Sequence, residues 1–257
     1  MFEEIEAVAF DLGDTLITVN AGPEQLEAVW QEIYTQLQQT EGEGLPPLSA
    51  IRRCIEEHVG RKMQITWREK IEAELDIVEM FTNALQAAQM PRADEAAFVR
   101  HIIELEHLLV GKYTRVGPQV FDTLTELKQR GYKLALVSNF CNLPQLVYDS
   151  IERLGLLSFF DATIISCEFG WRKPSPHIYA ETIRRLQTKP ERVLFVGDRL
   201  VEDVQGPHTA GMKAALTHES RQEDPAAIGM VPDLLIRNLA ELLEQLPLHA
   251  TRTKTDL

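Results

Sequence analysis

Two patterns of apolar residues divide this chain. A short apolar run at residues 5–10, ended by a turn that contains Gly13, is typical of a buried strand. From about residue 20 to residue 112, apolar positions instead recur at helical spacing, in the segments 23–39, 49–62, 68–89 and 94–109. This long region therefore predicts about four or five helices and no strand.

Beyond residue 116 the pattern changes to alternating helices and strands. Amphipathic segments separate further apolar runs at residues 132–138, 161–166, 192–198, 213–218 and 233–237. Such alternation builds βαβ units and a parallel sheet covered by helices on both faces. We therefore predict an α/β fold: a three-layer, Rossmann-like core with a central parallel sheet, plus an all-helical domain inserted after the first strand. The predicted boundaries are 1–17 and 116–250 for the core, 18–115 for the helical domain, and 251–257 for a flexible polar tail.

The composition of the chain limits its possible binding partners and its compartment. The formal net charge of −13 over 257 residues makes nucleic acid and anionic membranes unfavourable partners. The three cysteines, Cys54, Cys141 and Cys167, form neither a disulfide framework nor a zinc motif, as expected in a reducing compartment. No apolar run is long enough to span a bilayer and no signal peptide is recognisable, so we expect a cytoplasmic protein. The sequence does not indicate an oligomeric state.

Polar residues gather where the predicted strands end. In open parallel sheets, ligands bind beyond the carboxyl ends of the strands. The candidates at these ends are Asp11, Gly13, Asp14, Thr15, Ser138, Asn139, Lys173, Asp198 and Asp203. Carboxylates bind Mg²⁺ through oxygen, while hydroxyl, amide and ammonium groups hold phosphate. Taken singly, each residue also fits a turn, a helix cap or a solvated charge; taken together, they indicate a functional site.

Four stretches carry a resemblance to a known family. They read AFDLGDTL, LVSN, GWRKPSPHIY and VGDRLVEDVQGPHTAGM, and the resemblance covers residues 5–217. The chain resembles the haloacid dehalogenase superfamily, in the subgroup whose helical cap is inserted after the first strand. The resemblance implies a hydrolase whose helical domain is a cap that closes over the substrate.

The resemblance also implies a role for each candidate residue. Asp11 would be the nucleophile, and Lys173 would pair with it and with the phosphoryl group. The residues implied to hold Mg²⁺ are Asp11, Gly13 through its carbonyl, Asp198 and Asp203, of which Asp203 is either a further ligand or an acceptor behind the ligands. Those implied to hold phosphate are Thr15, Ser138 and, through its backbone, Asn139. Arg199 is interpreted as a salt-bridge partner of Asp198.

One motif departs from the family's pattern. Phosphatases of this family read Asp-x-Asp-Gly-Thr, and their second Asp is the general acid; here Gly13 occupies its place and Asp14 follows. The family's turn is helix-like, and one residue along such a turn rotates a side chain by about 100°. We therefore interpret Asp14 as a carboxylate that caps or stabilises the turn. The histidines that could supply the proton instead are His58, His101 and His107.

The leading hypothesis is a Mg²⁺-dependent phosphatase that hydrolyses a small phosphorylated metabolite through an aspartyl-phosphate on Asp11. Its activity would be attenuated, since loss of a general acid costs about 10²–10⁴-fold. The alternative is a catalytically weak or non-catalytic protein that binds a phosphorylated ligand, or a regulatory protein, on the same fold. A metal-free haloacid dehalogenase is disfavoured, because those members lack the acids present here as Asp198 and Asp203.

Overall fold

The structure of the protein, a computed structural model, describes residues 2–42 and 44–248. The strands are β1 Ala7–Phe10, β2 Ile17–Val19, β3 Thr114–Val116, β4 Lys133–Ser138, β5 Ala162–Ile165, β6 Val193–Gly197, β7 Lys213–Thr217 and β8 Leu234–Ile236. The α-helices are α1 Pro23–Glu41, α2 Leu48–Ile55, α3 Arg61–Arg68, α4 Ile77–Ala87, α5 Ala96–Gly111, α6 Val120–Gln129, α7 Pro144–Arg153, α8 Ser166–Phe169, α9 Pro176–Leu186, α10 Gly206–Thr209 and α11 Leu242–Gln245. π-helical turns span Glu56–Gly60 and Leu200–Gln205, and 3₁₀ turns span Leu157–Phe159, Pro190–Arg192, Pro225–Ile228 and Leu239–Glu241. The predicted tail at 251–257 lies outside the described residues.

The chain divides into two compact units. The core unit comprises the residues up to Thr18, Arg115–Asn139, and the residues from Ile151 onward. The helical unit comprises Val19–Thr114 and Phe140–Ser150. The sequence analysis assigned the second of these segments to the core. Its Cys141 is buried in the hydrophobic cluster of the helical unit, which explains why residues 140–150 group there.

A six-stranded parallel sheet forms the centre of the core unit. Its strand order is β5-β4-β1-β6-β7-β8. β1 pairs in parallel with both β4 and β6, and Phe10 lies opposite Leu136 and Val196. The chain builds one half of the sheet outward from β1 and then returns to build the other half, which opens a crevice at the carboxyl ends of the central strands. The predicted α/β class with a central parallel sheet is confirmed.

Both faces of this sheet are buried. Val137 and Phe195 pack with Tyr179 of α9 in one hydrophobic cluster. Because neighbouring side chains on a strand point to opposite faces, Leu136 and Val196 project from the other face, and they too are fully buried. Burial on two faces explains why these strands read as continuous apolar runs instead of alternating ones.

The helical unit has a hydrophobic core of its own. Trp30 and Ile33 of α1, Phe81 of α4 and Ile102 of α5 belong to one buried cluster. The buried residues of these helices recur every three or four positions, the spacing that places side chains on one face. Among the described residues, no helix is both long enough and apolar enough to cross a membrane.

One predicted helix is shorter than expected. The apolar spacing of 68–89 predicted a single helix, but α3 ends at Arg68 and α4 begins only at Ile77. Lys70 adopts a left-handed backbone with φ of 52°, and the amide of Ile71 donates to the carbonyl of Thr66, which closes α3. Asp76 then caps α4 by accepting hydrogen bonds from two amides of its first turn. These caps override the helical periodicity.

Candidate active site

The carboxyl ends of three neighbouring strands bring predicted residues together. Asp11 follows β1, Ser138 ends β4 and Asp198 follows β6. β1 pairs in parallel with the other two strands, so these side chains share one edge of the sheet. All three residues are buried, although each is polar. Buried polar groups need partners, and Lys173 supplies one for Asp11.

A buried lysine links two of the acids. The Lys173 Nζ donates to Oδ1 of Asp11 and to Oδ1 of Asp203, each at 2.7 Å. The Lys173 side chain is only 2% exposed and that of Asp203 is fully buried. Asp203 Oδ2 accepts a further hydrogen bond from the amide of Arg199 at 3.0 Å. Paired charges of this kind hold their geometry, because breaking one pair leaves an uncompensated buried charge.

Burial and charge displace the pKa values of this network. Burial alone would lower the pKa of Lys173, but the carboxylates of Asp11 and Asp203 outweigh it and raise that pKa above 10.5. The ammonium therefore stays charged at neutral pH. Burial is the largest influence on Asp11, Asp203 and Asp198, and it raises the pKa of each carboxyl above 3.8.

Asn139 fixes the backbone of Lys173. Its Oδ1 accepts from the Lys173 amide at 2.7 Å, and its Nδ2 donates to the Lys173 carbonyl at 2.8 Å. Both ends of the Asn139 side chain are used in this pair. The resemblance implied a phosphate-binding contribution from the backbone of Asn139, and the side chain has this separate positioning task.

A glycine at the end of β6 makes room for Asp203. A Cβ atom built on Gly197 would lie 2.2 Å from Asp203 Cγ, well inside contact distance. Asp203 lies in the π-helical turn Leu200–Gln205, and the Tyr179 hydroxyl donates to the carbonyl of Glu202 in that turn at 2.5 Å. The amphipathic segment between the apolar runs 192–198 and 213–218 predicted an ordinary α-helix, and the structure departs from that prediction. The wider turn and the missing side chain at Gly197 together bring the acid against the strand end.

Replacement of Gly197 by Ala is expected to destabilise the protein. The added methyl group would overlap Asp203, so the side chain or the turn must move, which typically costs about 1–3 kcal/mol. Urea unfolding measures this loss. Gly13→Ala is the matched control, since a Cβ there meets no heavy atom within 4 Å. Equal stability of the two variants would contradict the steric argument.

The three acids together fit a divalent metal ion. Asp11, Asp198 and Asp203 each offer a carboxylate oxygen, and these oxygens lie within 4.8 Å of one another. Opposite ligands of an octahedral Mg²⁺ are about 4 Å apart, and Mg²⁺ prefers oxygen. Asp198 Oδ1 is buried and has no hydrogen-bond partner among the described residues. An unpaired buried carboxylate oxygen is costly unless a ligand satisfies it, so the donor set fits such an ion.

An arginine that the sequence analysis missed contacts two acids of the site. Arg221 Nε donates to Asp198 Oδ2 at 2.7 Å, and Arg221 Nη2 donates to Asp14 Oδ2 at 2.9 Å. Arg221 follows β7, the strand next to β6. Arg221 lies beyond the carboxyl end of this strand, so its position in the sequence is the signal that indicates it as a candidate. The predicted pairing of Arg199 with Asp198 stays a prediction, and the charge of Arg199 does act to lower the pKa of the Asp198 carboxyl.

Comparison with known proteins identifies the family. The sequence pattern of the haloacid dehalogenase-like hydrolases matches residues 5–211, which is most of the chain. The chain belongs to this family. The resemblance of the four motifs to the haloacid dehalogenase superfamily is therefore confirmed, whereas the cap subgroup stays a prediction.

Individual relatives agree with this assignment. A glyceraldehyde 3-phosphate phosphatase of Methanopyrus kandleri is 37% identical over 134 residues, which cover 51% of this chain and 57% of that protein. The chain spans about half the length of the curated relatives that it matches. A HAD phosphatase from Thermococcus onnurineus is 25% identical with a TM-score of 0.65, over 95% of this chain and 99% of that one. A 2-haloacid dehalogenase from Pseudomonas syringae, 23% identical with a TM-score of 0.69 over 93% and 97%, shares the fold.

The first motif of this haloacid dehalogenase-like hydrolase differs from the expected helix-like turn. Asp14 adopts the left-handed region with φ of 57°, and its amide donates to the carbonyl of Ile17 at 2.7 Å. Asp tolerates this backbone better than most residues because its short polar side chain bonds locally. The rotation of about 100° expected for a right-handed turn therefore does not describe Asp14. Its carboxylate is instead directed to Arg221.

Two further residues of this motif have distinct surroundings. The Thr15 hydroxyl is buried and has no hydrogen-bond partner in the part of the chain that the structure describes. Like the free oxygen of Asp198, it is a polar atom that a ligand would satisfy. Gly13 has no side chain, so only its backbone contributes to the motif. An added Cβ at this position would meet no heavy atom within 4 Å.

The three candidate histidines, His58, His101 and His107, lie in the helical unit, and both ring nitrogens of His107 have partners there. Its Nε2 lies 2.7 Å from the hydroxyl of Ser150 and 3.1 Å from the carbonyl of Leu146, while Nδ1 lies 3.2 Å from Nδ2 of Asn142. These contacts hold both ring nitrogens. His101 is exposed and lies 4.0 Å from Glu104. Donation of a proton to the leaving oxygen by one of these histidines stays a prediction.

Proposed function

We propose that this chain is a Mg²⁺-dependent phosphatase of a small phosphorylated metabolite and that Asp11 is its nucleophile. The observation that carries the proposal is the buried cluster in which Lys173 holds one oxygen of Asp11 while Asp198 Oδ1 is left without a partner. Family membership supports hydrolysis, and the phosphatase from Methanopyrus kandleri supports a phosphorylated substrate. Localisation in the cytoplasm is part of the same proposal.

The residues divide into direct ligands of the ion and groups behind them. Asp11, Asp198 and the carbonyl of Gly13 would hold Mg²⁺ directly. Asp203 already accepts a hydrogen bond at each oxygen, so it fits a supporting position from which it orients Lys173. When bound, the ion supplies positive charge that offsets the repulsion between a carboxylate and a phosphate dianion.

The chain's own groups then suit a two-step transfer. Asp11 Oδ2 attacks phosphorus, the bond from phosphorus to the leaving oxygen breaks, and an aspartyl-phosphate forms. Lys173 offsets the negative charge of the transferred group, while Ser138, Thr15 and the backbone at Asn139 hold its oxygens. Water then attacks phosphorus, releases inorganic phosphate and regenerates the Asp11 carboxylate.

The leaving oxygen is the point at which this chain differs from the family's pattern. The usual acid is replaced by Gly13, and the Asp14 carboxylate accepts from Arg221. The oxygen of an alcohol leaving group needs a proton, whereas the oxygen of an acyl or phenol leaving group departs with little protonation. We therefore expect the enzyme to act faster on acyl and aryl phosphates than on alkyl phosphates.

A second candidate function rests on the same substitution. Because no acid occupies position 13, a protein that binds a phosphorylated ligand with little or no turnover is the alternative. Haloacid dehalogenation is disfavoured, because the buried acids Asp198 and Asp203 suit a metal ion that this chemistry does not need.

A substrate panel separates these functions. Acetyl phosphate, p-nitrophenyl phosphate, glycerol 3-phosphate and glyceraldehyde 3-phosphate are incubated with the protein in Mg²⁺ or in EDTA, and released phosphate is measured. The phosphatase proposal expects release that EDTA abolishes. Folded, metal-binding protein that releases no phosphate from any of them rejects the phosphatase and favours the binding protein. Chloride release from 2-chloropropionate would favour the dehalogenase.

Mg²⁺ is expected to stabilise the protein. A ligand at 100 times its Kd adds about 2.7 kcal/mol, which corresponds to a rise in Tm of about 5–10 °C. Calorimetry with Mg²⁺ or EDTA measures the shift. Asp198→Asn should lose it, whereas Asp122→Asn, an exposed acid of the core unit, should keep it. An unchanged shift in Asp198→Asn would contradict this ligand assignment.

The Mg²⁺-dependent shift is also expected to shrink at low pH. The pKa values of Asp11, Asp198 and Asp203 are raised, so these carboxyls keep protons above pH 3.8, where ordinary aspartates have lost them. A protonated oxygen does not bind the ion, so the shift is lost as pH falls through these raised pKa values. Calorimetry at several pH values above 3.8 tests the direction. A shift that grows as the pH falls contradicts it.

A further inference from the structure

The loop after β7 reaches into the site through one arginine. Arg221 donates to both Asp14 and Asp198. Asp14 follows the first strand and Arg221 lies 207 residues later, so two distant segments meet at this side chain. The loop is fastened independently, because Glu223 accepts from the amide of Leu200 at 2.7 Å and its carbonyl lies 3.1 Å from Nε2 of His218.

The contact with Asp198 distinguishes the two oxygens of that carboxylate. Arg221 Nε donates a hydrogen bond to Asp198 Oδ2, whereas Asp198 Oδ1 is buried and has no hydrogen-bond partner in the described residues. A carboxylate held in this way cannot rotate without losing a charge-assisted hydrogen bond. Its second oxygen is therefore held in one orientation, within a carboxylate that clusters with those of Asp11 and Asp203.

We propose that Arg221 is a positioning residue that orients Asp198 toward the metal ion, and that Asp14 in turn holds Arg221. This inference rests on the proposed Mg²⁺ site. It gives the displaced acid of the first motif a task other than proton donation. Arginine suits the task because its planar fork donates in two directions at once, which the single ammonium of lysine does with less defined geometry.

Two effects of removing Arg221 oppose each other. The loss of a positive charge near the ion favours metal binding, whereas the loss of orientation at Asp198 weakens it. The Arg221 side chain is 34% exposed, so water screens its repulsion of the ion. Loss of a residue that orients a metal ligand typically lowers affinity about 10–100-fold. We therefore expect weaker binding.

The test measures metal affinity, which does not depend on turnover. Mn²⁺ is titrated into the full chain, free Mn²⁺ is followed by electron paramagnetic resonance, and Mg²⁺ is then used as competitor. Arg221→Gln is expected to raise the Kd about tenfold, and Arg221→Lys to restore part of the affinity. Arg237→Gln is the matched control, because Arg237 pairs with Glu241 instead of a site carboxylate and should leave the Kd unchanged.

A double-mutant cycle tests the part assigned to Asp14. Asp14→Asn is expected to raise the Kd about 1.5- to 5-fold, as for a partly exposed ion pair. If Asp14 acts through Arg221, then Asp14→Asn adds nothing in the Arg221→Gln background. The Tm of each metal-free variant is measured alongside. A raised Kd with an unchanged Tm supports positioning, and independent effects of the two substitutions overturn the role of Asp14.

The outcomes separate this inference from the proposed function. Wild-type protein that binds neither Mn²⁺ nor Mg²⁺ rejects the metal site and the inference with it. Wild-type protein that binds the ions while Arg221→Gln binds them equally well or more tightly overturns the inference alone. Should Arg221→Gln fold poorly, Asp14→Asn decides, because this half-exposed side chain is removed without disturbing the buried cluster.

Discussion

Asp11→Asn is expected to reduce phosphate release by about 10⁴-fold or more, because an amide is no nucleophile and no phosphoenzyme forms. The substitution keeps the shape of the side chain and one oxygen that can accept from Lys173. Lys173 also retains Asp203, so its ammonium is not left unpaired. Steady-state phosphate release from acetyl phosphate in Mg²⁺ is the measurement.

The comparison that isolates chemistry from folding is with Asp122→Asn, which changes an exposed acid at the start of α6. This control is expected to retain wild-type turnover. The two variants and the wild type should show similar circular dichroism. Turnover by Asp11→Asn within about tenfold of the wild type would exclude Asp11 as the nucleophile.

Gly13→Asp is expected to raise turnover of alkyl phosphates about 10²-fold, the lower end of what a general acid contributes. A Cβ at Gly13 meets no heavy atom within 4 Å, so the first atom of the new side chain causes no clash. The gain should be much smaller for acetyl phosphate, whose leaving oxygen needs little protonation. Rates on glycerol 3-phosphate and acetyl phosphate measure the difference.

Gly13→Ala completes this experiment. It adds the same Cβ without the carboxyl group, so it is expected to leave turnover of both substrates unchanged. A gain in Gly13→Asp but not in Gly13→Ala assigns the effect to the acid. Equal rates for Gly13→Asp and the wild type on glycerol 3-phosphate, with metal binding intact, would show that the missing acid does not limit this enzyme.

The sequence predicted the sheet well because its strands are buried on both faces. Continuous apolar runs such as that of β6 leave little choice of structure, and the polar residues that follow them fall at one edge for topological reasons. Asp11, Ser138 and Asp198 were found in this way. Whether they perform the roles implied by the family stays a prediction until the substitutions are made.

Other features depend on contacts that periodicity does not encode. The contact between Asp14 and Arg221 joins residues that are 207 positions apart, so no local sequence pattern predicts it. The left-handed backbone of Asp14 also differs from the right-handed turn that the family suggested. Likewise, Asn139 was selected for a backbone contribution, while its side chain holds both sides of the Lys173 peptide.

The ion pairs of Lys173 and Arg221 have a consequence for the order in which ligands bind. These pairs join two cations to four carboxylates, those of Asp11, Asp14, Asp198 and Asp203. With every carboxylate ionised, the network has a surplus of two negative charges. One divalent cation would neutralise this surplus, whereas a phosphate dianion would double it. Phosphate should therefore bind weakly to the metal-free protein, and by linkage each ligand strengthens the binding of the other.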